Sequence, residues 1–226
     1  MNDLTTLPPH QARSRAGRPT REQAEARHEE LLAVALNHFL DKGYEAATIE
    51  AIAGAVGMTK RTVYGLYADK AALFRAAVHH AIERYSISDE RIAATDCGDL
   101  EQTLRNIARL RIDLVASTQG MKLQRIINTE SYRFPEIFNE VYELGALPTI
   151  RFLAQLLKRE SAAGRLAIAE PAKAANVFMS MVVSGPVRVI VSGNVLSAAE
   201  IDERIAFAVC LFLNGASPRQ AGRGEN

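Results

Sequence analysis

Residues 43–70, GYEAATIEAIAGAVGMTKRTVYGLYADK, contain three helix starts in close succession and decide the fold. Three of these residues have short oxygen-bearing side chains that suit the N-cap of a helix: Thr48, Thr59 and Asp69. An apolar run at helical spacing follows each of them. Because isolated helices this short are marginal in water, they must pack on one another. The stretch therefore predicts a compact unit of short helices.

Gly57 stands between the first two helix starts, where a left-handed residue closes a helix. Around it we predict helices over 48–55 and 60–66, the second with Val63 and Leu66 turned inward. Two short helices joined by a tight turn are typical of the helix-turn-helix, whose second helix enters the DNA major groove while the first crosses the backbone.

The second of these helices has many hydrogen-bond donors at positions expected to be exposed: Thr59, Lys60, Arg61, Thr62 and Tyr64. Arg61 is the expected base reader because its planar guanidinium can bond O6 and N7 of a guanine together, whereas Lys60 suits phosphate. Tyr64, Tyr67 and Lys70 are expected to hold the DNA backbone. Two alternatives stay open. Such polar residues taken singly are most often only solvated, and Tyr67 can pack its ring under the preceding helix.

The flanks of this unit extend it on both sides. Acidic residues open a helix over 22–41, and we predict that the DNA-binding domain ends near residue 85. Before it, residues 1–21 form a basic arm whose Arg18 is of the kind that enters an A·T-rich minor groove, although basic tails often bind nothing in particular.

These spacings resemble the TetR family of bacterial transcriptional repressors. The matching residues are Gly43-Tyr44, Thr48, Ile52-Ala53, Gly57, Thr59, Tyr64, Tyr67 and Lys70. Arg61 departs from the pattern, standing where many members have a small residue, which bears on the operator sequence. The resemblance implies an all-α homodimer of about nine helices per subunit that represses transcription at a palindromic operator. It also adds Thr48 to the residues expected to contact DNA.

The remaining chain shows only longer helical patterns, and we assign residues 86–214 to a domain for ligand binding and dimerisation. The patterns lie near 100–116, 121–129, 136–160, 171–192 and 198–213. The resemblance implies that the last two form a four-helix dimer interface. Phe134-Pro135-Glu136 and Ser184-Gly185-Pro186 resemble the C-terminal domain of the AefR-like subgroup. Residues 215–226 are polar and read as a disordered tail.

An effector cavity is expected between these longer helices. The family resemblance favours a small apolar or amphipathic effector of unknown identity. Candidate lining residues are Ile107, Ile127, Phe138, Phe152, Phe178 and Met179. Phe and Met at helical spacing are more often ordinary core.

Composition excludes several other classes. Of the 226 residues 48% are hydrophobic and only 6% aromatic, and the net charge is +1, which fits a folded helical protein. The sequence lacks HExxH, GxSxG and P-loop motifs, so we expect neither an enzyme, nor a metal site, nor a cofactor.

The two cysteines, Cys97 and Cys210, are expected to be buried thiols in a cytoplasmic bacterial protein. The alternative to a DNA-binding repressor is a helical small-molecule-binding protein whose helix-turn-helix does not bind DNA.

Overall fold

The computed structural model describes residues 20–194 and 196–217. Residues 1–19 of the predicted basic arm, with Arg18, and residues 218–226 of the predicted tail lie outside these residues. Within them, Arg21 already begins the first helix and the last helix continues to Ala216, two residues beyond the predicted end of the C-terminal domain. Every regular element within the described ranges is a helix, which confirms the all-α prediction.

The N-terminal unit consists of α1 (Arg21–Ala46), α2 (Ile49–Ala55), α3 (Lys60–Leu66) and α4 (Lys70–Tyr85). The three predicted N-caps are confirmed, since the side chains of Thr48, Thr59 and Asp69 each accept a hydrogen bond from the backbone N–H three residues later. At Gly43, near the end of α1, φ is +78°, a left-handed conformation that favours glycine. The capping side chains therefore determine where each short helix begins.

The C-terminal part begins with the single turn α5 (Asp89–Ala93), followed by α6 (Leu100–Ala116) and α7 (Thr118–Glu130). Next, α8 (Pro135–Glu140) continues through a π-helical segment, Val141–Ala146, into α9 (Leu147–Ala162). The last two helices are α10 (Pro171–Val191), which continues through Pro186, and α11 (Ala198–Ala216). Counting α8 through α9 as one helix and setting α5 aside, the described residues form nine helices.

The buried side chains form two clusters. The first consists of α1 to α4 together with Ile126 from α7, Phe134, and Ile137 from α8. The second joins α6, α9, α10 and α11. The first cluster therefore takes residues from both sides of residue 85, where the sequence predicted a domain boundary.

Four aromatic rings lie at the centre of the first cluster. Phe39 and Phe74 meet edge to face with ring centroids 4.9 Å apart, and Tyr44 and Phe134 do so at 5.0 Å. Such pairs add stability beyond the area that they bury. The guanidinium of Arg133 lies 4.4 Å from the Tyr44 ring centroid and pairs with Glu45. The segment before α8 is thus anchored on the N-terminal unit by Arg133 and Phe134.

Two sequence expectations about burial are wrong. Leu66, expected to face inward beside Val63, is 52% exposed at the last position of α3. Because α3 has only two turns, Val63 alone fills the space beneath it. Both cysteines are exposed as well: Cys97 lies in the loop before α6, and Cys210 lies on the outer face of α11.

Candidate nucleic-acid interface

The geometry of α2 and α3 fixes one surface of the N-terminal unit. Gly57 has a φ of +64° in the turn between them, and the next residue, Met58, donates its backbone N–H to the Ala53 carbonyl at 2.8 Å. Val63 is fully buried and attaches α3 to the core. The opposite face of α3 is therefore turned outward on a rigid support.

Four of the predicted DNA-contacting side chains share this outward face: Lys60, Arg61, Thr62 and Tyr64 are all exposed. Arg61 makes no hydrogen bond or ion pair with any residue in the described ranges, so all of its guanidinium N–H groups are available to a ligand. The Thr59 and Thr62 hydroxyls lie 2.8 Å apart, and Thr59 also caps the helix. This face can donate to phosphate and to base edges.

Lys60 has a partner that the sequence analysis missed. Its ammonium forms an ion pair with Glu50 in the first turn of α2 and lies 5.7 Å from the Tyr64 ring centroid. The hydrogen bond from Lys60 lowers the pKa of the Glu50 carboxyl, and the same bond raises the pKa of Lys60. An acid on the helix-turn-helix ten residues before a lysine was the signal available in the sequence. Glu50 offsets one positive charge of this surface.

Lys70 does not have the outward position expected of a phosphate contact. Its Nζ donates to the carbonyl oxygens of Tyr44, Glu45 and Ala47 at 2.8, 3.0 and 3.2 Å. These carbonyls lie at the C-terminal end of α1 and just beyond it, where acceptors lack helical partners. An ammonium has three N–H groups, so all of them are used within the fold. Lys70 joins α4 to the end of α1.

Tyr67 follows the packing alternative. Its hydroxyl lies 2.6 Å from Nε2 of His28 on α1, and the two rings are stacked with centroids 5.9 Å apart. Burial raises the pKa of the Tyr67 phenol. The contact of Tyr67 with His28 thus joins the end of α3 to α1. Thr48 is exposed and its hydroxyl accepts the Ala51 N–H at 3.2 Å, and its contact with DNA stays a prediction.

The residues predicted to line an effector cavity are scattered. Three of them, Ile107, Phe178 and Met179, are buried in the second core. Phe138 is 59% exposed on α8, and Phe152 lies half-buried at a groove beside α5. These five positions are ordinary core or surface in this structure, and the role of each as a ligand contact stays a prediction.

Ile127 does line a cavity, together with residues of α4, α6, α7 and the π-helical segment. The sequence analysis missed the charged residue in its wall, Arg111. The available signal was periodicity: Arg111 follows Leu104 by seven positions and Ile107 by four, so it lies on the apolar stripe of α6.

Comparison with known proteins agrees with this geometry. Residues 31–77 match the model of bacterial regulatory proteins of the tetR family, and residues 102–215 match the AefR-like transcriptional repressor C-terminal domain. A curated relative, the uncharacterized HTH-type transcriptional regulator YdeS of Bacillus subtilis (strain 168), is 26% identical over 114 residues. That match spans about half the length of either protein, 50% of this chain and 53% of the relative.

Solved structures match nearly the whole chain. The flavonoid-responsive regulator FrrA is 31% identical, with a TM-score of 0.69 over 87% of this chain and 100% of that one. A crystal structure assigned to the TetR family, from Mesorhizobium loti MAFF303099, shares the fold at a TM-score of 0.72 and 24% identity, covering 88% of this chain and 100% of that one. The AefR-like match alone covers half of the chain. The chain therefore belongs to the TetR family of transcriptional regulators and carries its helix-turn-helix DNA-binding domain.

Proposed function

We propose that the protein is a ligand-responsive repressor that binds a palindromic operator as a homodimer in the bacterial cytoplasm. The α3 helices of the two subunits would enter successive major grooves, about 34 to 36 Å apart. The activity would be regulation and not enzymatic catalysis, and it would need no metal or cofactor.

The observation that carries the DNA-binding proposal is the guanidinium of Arg61 on the outward face of α3, which has no hydrogen-bond or ion-pair partner among the described residues. Neighbouring basic groups are already occupied, Lys60 by Glu50 and Lys70 by backbone carbonyls. An arginine held on a rigid helix with a free bidentate edge suits guanine in the major groove. Arg61 is therefore the proposed specificity residue.

The dimer proposal depends on the outer faces of α10 and α11. Phe207 on α11 is 71% exposed, and Val177 and Leu211 are each 55% exposed. An 18-residue window of α10 has a mean hydropathy of 1.6, yet only 28% of it is buried in one subunit. Length and composition alone would let such a helix cross a membrane, but it contains Ser184, Gly185 and Arg188. A second subunit would cover this face with a matching one.

A ligand would act by binding one conformation of the dimer more tightly than the other. α4 connects the two parts concerned, because Lys70 at its start holds the end of α1 and Tyr85 at its end lines the cavity beside α6. The name of FrrA describes it as flavonoid-responsive, and this supports a response to small molecules here.

The test begins with sequencing of genomic fragments selected by the purified protein, which identifies the operator. Arg61→Ala is then expected to weaken operator binding by roughly 1 to 3 kcal/mol and to relax one position in each half-site, with little change on random DNA. Arg91→Ala, an exposed arginine on α5, is the matched control.

Two results would contradict the proposal. Equal losses on operator and random DNA would assign Arg61 to phosphate contact. An absence of salt-sensitive duplex binding by the wild type would favour the helical small-molecule-binding protein instead.

A further inference from the structure

Arg111 on α6 is a charged side chain in an apolar wall. It is only 7% exposed, and its Nη1 donates to the Gly145 carbonyl at 2.7 Å. Its Nε is fully buried and has no hydrogen-bond partner among residues 20–194 and 196–217. No carboxylate in the described part of the chain pairs with it, and burial lowers the pKa of Arg111. A buried cation left in this state is unfavourable unless something else compensates it.

The other arginines of the same helix are paired. Arg105 bonds Glu101 one turn earlier, and Arg109 bonds both Asp113 and Asp202. Arg111 is therefore the arginine of α6 that has no acidic partner within the described ranges, and it is also the most deeply buried of the three.

Arg111 lines a cavity of about 70 Å³ between α4, α6, α7 and the π-helical segment. The rest of the wall is mainly apolar and includes Ile82, Leu123, Ile127 and Val141. Pockets for organic ligands usually occupy about 300 to 1,000 Å³, so a ligand must enlarge this one. The wall that includes Val141 is a π-helical segment, an irregular element that often marks functional sites.

We infer that Arg111 binds the carboxylate of an amphipathic organic acid whose apolar part lies among Ile82, Leu123, Ile127 and Val141. The carboxylate would take the Nε and Nη2 edge of the guanidinium side-on, which leaves the Nη1 bond to Gly145 intact. The acid supplies the negative charge that no carboxylate in the described part of the chain provides to Arg111. The apolar wall favours an organic acid over an inorganic anion.

This inference deepens the proposed function and rests on it only for the effect on DNA. Ile82 and Tyr85 belong to the last turn of α4, so a ligand that enlarges the cavity presses on the helix whose first residue, Lys70, holds the end of α1. Binding of the acid itself needs no DNA and is measured separately.

The experiment follows the melting temperature of the full-length protein in sodium benzoate, sodium octanoate and their neutral amides at constant ionic strength. At least one carboxylate is expected to raise the melting temperature by about 5 °C near saturation, and its amide is not. Arg111→Gln can still donate to the Gly145 carbonyl. It is expected to raise the dissociation constant of the carboxylate at least about tenfold. Arg105→Gln on the same helix is the matched control.

Failure to fold of the glutamine variant is covered by Arg111→Lys, which keeps the charge without the bidentate edge and is also expected to bind at least about tenfold more weakly. The inference is overturned if neither carboxylate acts, if the amides act equally, or if substitution at Arg111 changes nothing. Release of a labelled operator by the active carboxylate is scored in parallel. Stabilisation that depends on Arg111 without any DNA binding would overturn the proposed function and leave this inference standing.

Discussion

The ammonium group of Lys70 shows how a basic residue beside a DNA-facing helix can serve the fold. Three carbonyl oxygens at the end of α1 receive its N–H groups, and the Tyr44 ring centroid lies 4.6 Å away. A charge bound in this way cannot reach phosphate without breaking those bonds. Its contribution is to the stability of the N-terminal unit.

Replacing Lys70 by methionine keeps the apolar stem but removes the donors. Lys70→Met is expected to lower the free energy of unfolding by about 2 kcal/mol, because carbonyls at the end of α1 lose a charged partner. Urea unfolding measures this loss, and Lys42→Met, an exposed lysine on α1, is the control. The salt dependence of DNA binding should stay unchanged. A salt slope flattened by about one unit would instead show that Lys70 contacts phosphate.

Glu50 limits the charge of the same surface through its ion pair with Lys60. Glu50→Gln is expected to tighten binding to operator and random DNA alike and to steepen the salt slope by about one unit, because Lys60 becomes free to neutralise a phosphate. Fluorescence anisotropy titrations over a range of salt concentrations measure both effects. Glu83→Gln on α4 is the control. If Glu50→Gln has the same salt slope as the wild type, Lys60 does not contact the DNA backbone.

At the scale of the helix, local chemistry decided what could be predicted. Thr48, Thr59 and Asp69 marked their helix starts because an N-cap is a contact within a few residues. Leu66 was misjudged because its burial depends on what lies beneath α3, which helical periodicity does not describe. The apolar stripe of α6 indicated that Arg111 is buried, but the π-helical segment and the shape of the cavity depend on how separate helices pack, which helical periodicity does not describe.

The C-terminal end of α9 depends on a buried carboxylate. Glu160 is almost completely buried, and its side chain accepts from Nε of Arg165 at 2.5 Å and from Nε of Arg159 at 3.4 Å. The hydrogen bond from Arg165, with a smaller one from Arg159, lowers the pKa of Glu160 below its ordinary value of 4.5. The ionised form is thus stabilised in the folded state, and this stability is present above pH 4.5.

Glu160→Gln is accordingly expected to lower the melting temperature at pH 7. The difference from the wild type should shrink as the pH falls below 4.5 and vanish below the folded-state pKa, where the native carboxyl is also neutral. Calorimetry at a series of pH values measures it, with Glu170→Gln, an exposed partner of Lys173, as the control. A difference that does not depend on pH would point to packing rather than charge.

At the scale of the whole molecule, the outer faces of α10 and α11 should determine the assembly. Phe207→Arg places a charge on each side of the proposed interface and is expected to halve the mass in solution from twice 24.7 kDa. Light scattering after gel filtration measures this change. Phe138→Arg alters an exposed phenylalanine on α8 and is the control. A wild type that is already monomeric would refute the dimer.

Thiol labelling offers an independent measurement of the same interface. Both cysteines are exposed in a single subunit, but Cys210 lies on the same outer face of α11 as Phe207. A maleimide should therefore label Cys97 in every variant and Cys210 only when the dimer is broken. Equal labelling of both thiols in the wild type would contradict the proposed interface.

The seating of Phe134 against Tyr44 and Phe74 limits how this protein can be re-engineered. In a hybrid regulator joined near residue 85, the N-terminal unit would come from this protein and the residue that packs against Tyr44 and Phe74 from another. That residue would fit the aromatic cluster poorly or be missing. The space left by Phe134 would make the N-terminal unit less rigid, and sequence discrimination depends on that rigidity. A workable exchange would transfer residues 133 and 134 together with the N-terminal unit, as a graft made of two separate pieces of chain.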